Sequence, residues 1–172
     1  MAGSFIDALR SDGPCADRMP SMALHGPFVG AWTLQAVLHA EAGDEHHAQG
    51  EIHFDRVLGG RAIPDVWILP GFFFGTTLRA YDPGIDARHI LGSDPLKRYY
   101  ARQIGRARGN DIAQKGVNDV GDAVRWSFVE IGPDRFRWLG ERRRRDGRAW
   151  HPDADFSACR VRSSPQPRGV LP

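Results

Sequence analysis

Arg79 and Tyr81, two positions apart in FFFGTTLRAYDP (Phe72–Pro83), are the pair in this chain best suited to hold an oxygen. In extended backbone, alternate side chains share a face and lie about 7 Å apart. A guanidinium and a phenol would therefore point the same way. If that face lines a cavity, Arg79 can anchor a carboxylate, enolate or carbonyl oxygen, and Tyr81 can donate to it or supply a proton. If the pair is structural, Arg79 forms an ion pair instead, with Glu51, Asp55 or Glu141 as candidate partners. Other acids and bases are His53 beside Glu51 or Asp55, Glu141 itself, and Asp65, a candidate buried acid ahead of Val66-Trp67. The plainer roles are a hydrogen-bonded strand histidine and a solvated strand-end carboxylate.

Aromatic residues could wall such a cavity. In AVRWSFVEI (Ala123–Ile131), Val124, Trp126 and Phe128 alternate against Arg125, Ser127 and Val129. Phe136 and Trp138 likewise oppose Arg137, Leu139 and Glu141. Trp126, Phe128 and Trp138, with Trp32 of the first strand, or else Arg125 on the opposite face, would contact a ligand. Periodicity leaves open which face turns inward. No His-x-His, HExxH or Cys-His spacing points to a metal, and no GxSxG, P-loop or GxGxxG stretch points to a nucleotide or a serine nucleophile. We therefore expect neither metal nor cofactor.

The elements that must position these residues are short strands. A chain of 172 residues fits one domain with a real core. The net charge of +2 is near neutral, and the basic run Glu141–Arg148 is local, so nucleic acid is not an expected partner. No apolar run reaches the ~20 residues of a membrane helix. Two cysteines without CxxC, and an N-terminus without an apolar signal core, predict reduced thiols and a cytoplasmic location.

Ser4–Arg10 predicts a short helix, with Ser4 as N-cap and Asp7 closing a capping box. Strands are expected at Phe28–Ala40, Gln49–Leu58, Arg61–Leu69 (Pro64 marking an edge or bulge), Phe72–Pro83, Ala87–Leu91, Ile112–Gly116, Ala123–Ile131, Arg135–Arg143 and Asp155–Arg162. Ala42–Ala48 reads as a polar turn. Leu96–Arg108 reads equally as helix or basic strand. Residues 1–27 form a helix and lead-in, 28–162 the β domain, and 163–172 a Pro-rich disordered tail. Turn signals every 8–12 residues without long crossovers predict an all-β fold: an antiparallel up-and-down barrel of about 8–10 strands. Such a barrel can enclose one small ligand.

Gly30-Ala31-Trp32 on the first strand resembles the Gly-x-Trp mark of lipocalins. The stretches FDRVLGGRAIPDVW (Phe54–Trp67), GTTLRAYDP (Gly75–Pro83), VRWSFVEIGPDRFRWLGE (Val124–Glu141) and DGRAW (Asp146–Trp150) resemble a bacterial lipocalin-like (calycin) family of uncharacterised function. The resemblance implies that Trp32 closes one barrel end beneath an arginine of the last strand, here Arg160. It also implies that Arg88 and Gly92 stand where relatives carry two tryptophans. If their shared face is internal, that frees roughly 200 Å³ and brings Arg88 to the ligand. The function expected is binding of a small hydrophobic metabolite with a polar oxygen. The alternative is a cofactor-independent cyclase, isomerase, hydratase or lyase of specialised metabolism in the same cavity. Apolar side chains left outside the barrel would favour a homodimer.

Overall fold

A computed structural model of the chain describes residues 3–40 and 43–162. The tail expected at 163–172 lies outside the described residues. The alternation seen in the sequence becomes ten strands: β1 (Gly30–His39), β2 (Glu45–Phe54), β3 (Ala62–Leu69), β4 (Phe73–Asp82), β5 (Ala87–Asp94), β6 (Tyr99–Arg108), β7 (Asp111–Asn118), β8 (Ala123–Val129), β9 (Arg135–Arg143) and β10 (His151–Arg160). Each pairs antiparallel with its neighbours in sequence, and β1 pairs with β10, so the sheet is a closed up-and-down barrel. Closure leaves no free edge.

Three local expectations change. Leu96–Arg108 is strand β6 from Tyr99 onward, because its backbone is ladder-bonded to β5 and β7 along its length. Most of the polar turn at Ala42–Ala48 belongs to β2, where pairing to β1 carries His46 and His47 into the sheet despite their polarity. Pro64 makes neither a true edge nor a bulge. It lies just past the last β2–β3 pair, Phe54 with Asp65, where its missing N–H interrupts no ladder bond.

Inward positions alternate strictly. Trp32, Leu34 and Ala36 of β1 meet Ile52 and Phe54 of β2, with Ile63, Asp65, Trp67 and Leu69 of β3 beside them. One end of the barrel is filled. Phe28, Phe54, Phe128 and Phe136 form an aromatic cluster there, with Phe28 and Phe128 centroids 4.7 Å apart. Trp32 donates from Nε1 to the Phe28 carbonyl at 2.7 Å. The Arg160 guanidinium lies 4.0 Å over the Trp32 ring and donates to the Pro27, Val29 and Pro133 carbonyls. The closure implied by the lipocalin resemblance is thus present.

The N-terminal segment crosses this filled end. Helix α1 (Phe5–Leu9) has the expected box, with the Asp7 N–H donating to the Ser4 hydroxyl and the Ser4 N–H to the Asp7 carboxylate. Its Phe5 and Ile6 remain exposed. The chain then ties to the barrel through Ser11 N–H to Arg56 O and Cys15 N–H to Gly60 O, before helix α2 (Met19–Met22). Gly60 must be glycine: its φ is +74°, and a Cβ there would sit 2.2 Å from the Gly13 carbonyl oxygen.

Candidate ligand cavity

The opposite end is hollow. A cavity of about 650 Å³ opens between the β3–β4, β5–β6, β7–β8 and β9–β10 hairpins. Its wall is aromatic because the inward phase of four strands carries Trp67, Trp126, Trp138 and Phe156. Trp138 stacks on Phe156 at 5.1 Å, and Trp67 and Trp126 flank Trp138 at 5.3 and 5.7 Å. The Trp138 indole N–H is buried without an acceptor among the described residues. Tyr99 stands at the mouth, and burial, with Asp153 adding to it, pushes its phenol well above the usual range. A second depression, about 480 Å³ on the outer face, is lined by Arg137, Glu130 and Asp155. Those charges already satisfy one another.

Arg79 and Thr77 form the floor. Arg79 is 2 % exposed and Asp65 1 %, with Nη1 2.7 Å from Asp65 Oδ2. Arg79 Nε donates to Gln114 Oε1 at 3.2 Å. Its guanidinium lies 5.5 and 5.4 Å from the Phe54 and Phe128 ring centroids. Asp65 Oδ1 accepts from the Thr77 N–H at 2.8 Å. Burial pushes the Asp65 carboxyl upward, with Arg79 pulling the other way. The structural ion pair considered in the sequence therefore exists, with Asp65 as its partner.

Below the floor lies a buried polar layer. Among the described residues, the side-chain amide of Gln103, both ring nitrogens of His25 and Gln114 Nε2 find no hydrogen-bond partner. Burial, reinforced by the positive charges of Arg79 and Arg88, holds His25 well below its ordinary value. Its pH consequence follows from proton counts. Below about pH 6.5 an unfolded chain protonates this histidine while the folded chain does not, so stability falls as pH falls, by up to about 1.4 kcal/mol per pH unit. His25→Phe should remove that share of the slope. Urea midpoints at pH 5 and 7 for both proteins check it, and parallel pH profiles would contradict it.

The structure divides the sequence's candidates. Arg79, Trp126 and Trp138 line the cavity. Asp65 stands behind Arg79. Tyr81 shares the face of Arg79 but lies one step deeper, outside the cavity. Its hydroxyl donates to Asp86 at 2.9 Å, and Arg88 lies 5.3 Å over its ring while donating to the Ser21 carbonyl. The expected places of Tyr81 and Arg88 in the cavity are thus corrected: the N-terminal segment occupies that depth. Trp32 and Phe128 belong to the filled end. Arg125 and Glu141 face outward and pair with each other at 2.6 Å, Arg125 also lying 4.5 Å over Trp150. The aromatic set took the interior, leaving the charged set outside. His53 is on the outer face of β2, 3.3 Å from Glu51. The space expected at Gly92 is taken by the Trp126 ring, 2.7 Å from where a Cβ would stand. None of the four proposed acids and bases (Tyr81, His53, Glu141, Asp65) lines the cavity.

The sequence reading missed Trp67, Phe156, Gln103, Gln114 and the rim residues Lys97 and Arg98. Trp67 was findable, two residues from Asp65 and so on its face. Gln114 shares a phase with Ile112 on β7. Among the described residues no group of three or more His, Cys, Asp or Glu is placed to hold a metal ion, and no helix is long and apolar enough to cross a membrane.

No family model matches this chain, and no curated protein matches it. Solved structures do. Rv2717c from M. tuberculosis is similar at 14 % identity over 83 % of this chain and 98 % of its own, with a TM-score of 0.61. The S-type phycobiliprotein lyase CPES from Guillardia theta is similar at 13 % identity over 83 % of this chain and 93 % of its own, with a TM-score of 0.60. Both likenesses are of fold, and the fold is the lipocalin-like, calycin-type barrel.

Proposed function

We propose that this protein binds a small hydrophobic molecule in the barrel cavity, with an oxygen of that molecule directed at the floor. One observation carries this reading: an aromatic-walled hollow of about 650 Å³ with the Arg79 guanidinium at its floor and, in its wall, a Trp138 Nε1 donor that no described residue accepts from. A cavity of that size suits a drug-sized ligand held mainly by apolar contact, with a few polar groups fixing its orientation. A donor without an acceptor, with a guanidinium at the floor, selects an acceptor, meaning a carbonyl, ether or hydroxyl oxygen. The similarity of the barrel to a phycobiliprotein lyase supports a guest in the interior by analogy of fold.

Binding is favoured over turnover by the same geometry. A cyclase, isomerase, hydratase or lyase needs an acid or base against its substrate; the carboxyl behind the floor, Asp65, is engaged by Arg79 and Thr77, and the two that line the cavity, Asp119 and Asp153, stand at its mouth, Asp153 paired with Arg142. Catalysis in this cavity would rest on Arg79 polarising a carbonyl.

The test is intrinsic fluorescence against a panel of oxygenated polycyclic, polyketide-like and terpenoid compounds. Trp67, Trp126 and Trp138 line the cavity and report its occupancy. A saturable change with a Kd below about 100 μM for compounds carrying an acceptor oxygen is the expected result. An emission spectrum unmoved across the panel would overturn the reading.

A further inference from the structure

Three rings that bound the hollow end on glycine. The far edge of Trp138 lies over Gly140, two residues on in β9, where a Cβ would stand 2.7 and 2.8 Å from Cη2 and Cζ3 of the ring. Trp126 reaches from β8 to Gly92 of β5, where a Cβ would stand 2.7 Å from its Cη2. Phe73 lies over Gly75 in the same way. Carbon atoms do not approach so closely, so each ring takes its position only because the residue beneath it has no side chain. The three glycines differ in what else they touch. At Gly75 a Cβ would also meet the Ser93 carbonyl oxygen at 2.4 Å, so the sheet itself demands glycine there. At Gly92 and Gly140 only the tryptophan rings are close, and the next atoms, Thr77 Oγ1 and Ala154 N, stand at 3.8 Å. Neither of these two glycines has a positive φ, so alanine fits their backbone.

The hollow is also shallow. Phe73 lines its mouth and Arg79 its floor, both on β4. That run of strand gives a depth of about 15 Å, at ~3.3 Å per residue and a strand tilt of about 40°. Spread over such a depth, about 650 Å³ leaves a mean cross-section of roughly 40 Å². Fused rings fit there abreast, and one extended hydrocarbon chain would leave much of the width empty. The aromatic cluster of the filled end, with Phe28, Phe54, Phe128 and Phe136, blocks extension beyond the floor.

Building on the cavity-binding reading, we infer that Gly92 and Gly140 set the width of the hollow, and that its guest is a compact multi-ring molecule and not an extended chain. Gly140 lines the hollow itself, paired with Ala154, so the wall there is nearly bare strand with Trp138 drawn along it. Gly92 is a positioning residue, the seat for the far edge of Trp126. A methyl group at either place would move a ring and not the sheet, and the open space beside both rings is the hollow. A rigid ring system cannot narrow to match, whereas a chain bends around the displaced ring.

Two neutral ketones of equal carbon number test this: benzanthrone, with four fused rings, and 2-heptadecanone, which when extended is longer than the hollow is deep. Dissociation constants come from tryptophan fluorescence. Benzanthrone should bind about tenfold more tightly than the chain ketone. Gly92→Ala and Gly140→Ala should each weaken benzanthrone about tenfold and leave 2-heptadecanone within about threefold, with thermal midpoints close to that of the wild type. In the Trp126→Phe and Trp138→Phe backgrounds, whose shorter rings do not reach the glycines, the matching alanine should cost benzanthrone less than about threefold. Unchanged benzanthrone affinity in both alanine variants, or equal losses with and without the tryptophan, overturns the role of the glycines. So does unfolding of an alanine variant in its phenylalanine background, because the glycine would then serve the backbone. Binding of 2-heptadecanone as tight as that of benzanthrone overturns the multi-ring assignment and leaves the cavity reading standing. Failure of both ketones to bind overturns the inference, and if the wider panel also leaves tryptophan emission unmoved, the cavity reading falls with it.

Discussion

Arg79→Met should lower the unfolding free energy by about 3–5 kcal/mol, the usual cost of leaving one member of a buried ion pair alone. Asp65 would then be a carboxyl 1 % exposed, without its cation, among Trp67, Thr77 and Phe54. It would respond by keeping its proton, since burial already pushes it upward. The double variant Asp65→Leu/Arg79→Met removes both charges and should recover most of the loss. Urea denaturation of wild type, single and double variants gives the coupling directly. If the single variant lost less than about 1 kcal/mol, the pair would not be structural. The sequence alone offered Glu51, Asp55 or Glu141 as the partner of a structural Arg79; the pairing of β3 with β4 supplies Asp65 instead. Tyr81→Phe, by contrast, removes a hydroxyl that donates to Asp86 at the surface and should leave cavity binding unchanged.

Ala154→Trp should reduce affinity for any cavity ligand by on the order of 100-fold, the effect of a clash built into the space a guest must fill. Ala154 lines the hollow beside Trp138 and Gly140, so a larger ring there projects into open volume and not into packed core. Its cost to stability should stay within about 1–3 kcal/mol, the range for overpacking. Calorimetric titration with the best ligand of the panel, together with thermal unfolding, separates occlusion from misfolding. A variant that binds normally would place the ligand elsewhere.

Much of the fold could be read from the chain because period-two alternation is local. Val124, Trp126 and Phe128 share a face whatever surrounds them, and so do Arg79 and Tyr81. What alternation cannot supply is depth along the barrel. Arg79 and Tyr81 share a face, yet one forms the cavity floor and the other lies beneath the N-terminal segment. That boundary is set by residues 11–29, whose loops and short turns carry no periodic signal. Nor does a single strand reveal its partners. Asp65 meets Arg79 because β3 and β4 pair with Asp65 opposite Thr77, a register determined by the β3–β4 turn. The face ambiguity between Trp126 and Arg125 had the same origin: both sets alternate cleanly, and only barrel closure assigns the inside. Gly92 shows the limit of reasoning by replacement. A lost ring on β5 is filled by Trp126, three strands away in sheet order.

The central claim is that the guest lies between Trp67, Trp126 and Trp138. The chain's five tryptophans report on it from different places: Trp32 at the filled end, Trp150 on the outer face against Arg125, and the other three around the hollow. Their indole N–H signals, assigned by single Trp→Phe variants in a nitrogen-15 proton correlation spectrum, locate a bound ligand in one titration. The account predicts that a saturating ligand moves the Trp67, Trp126 and Trp138 signals and leaves those of Trp32 and Trp150 in place. Shifts confined to Trp32 or Trp150 would contradict it.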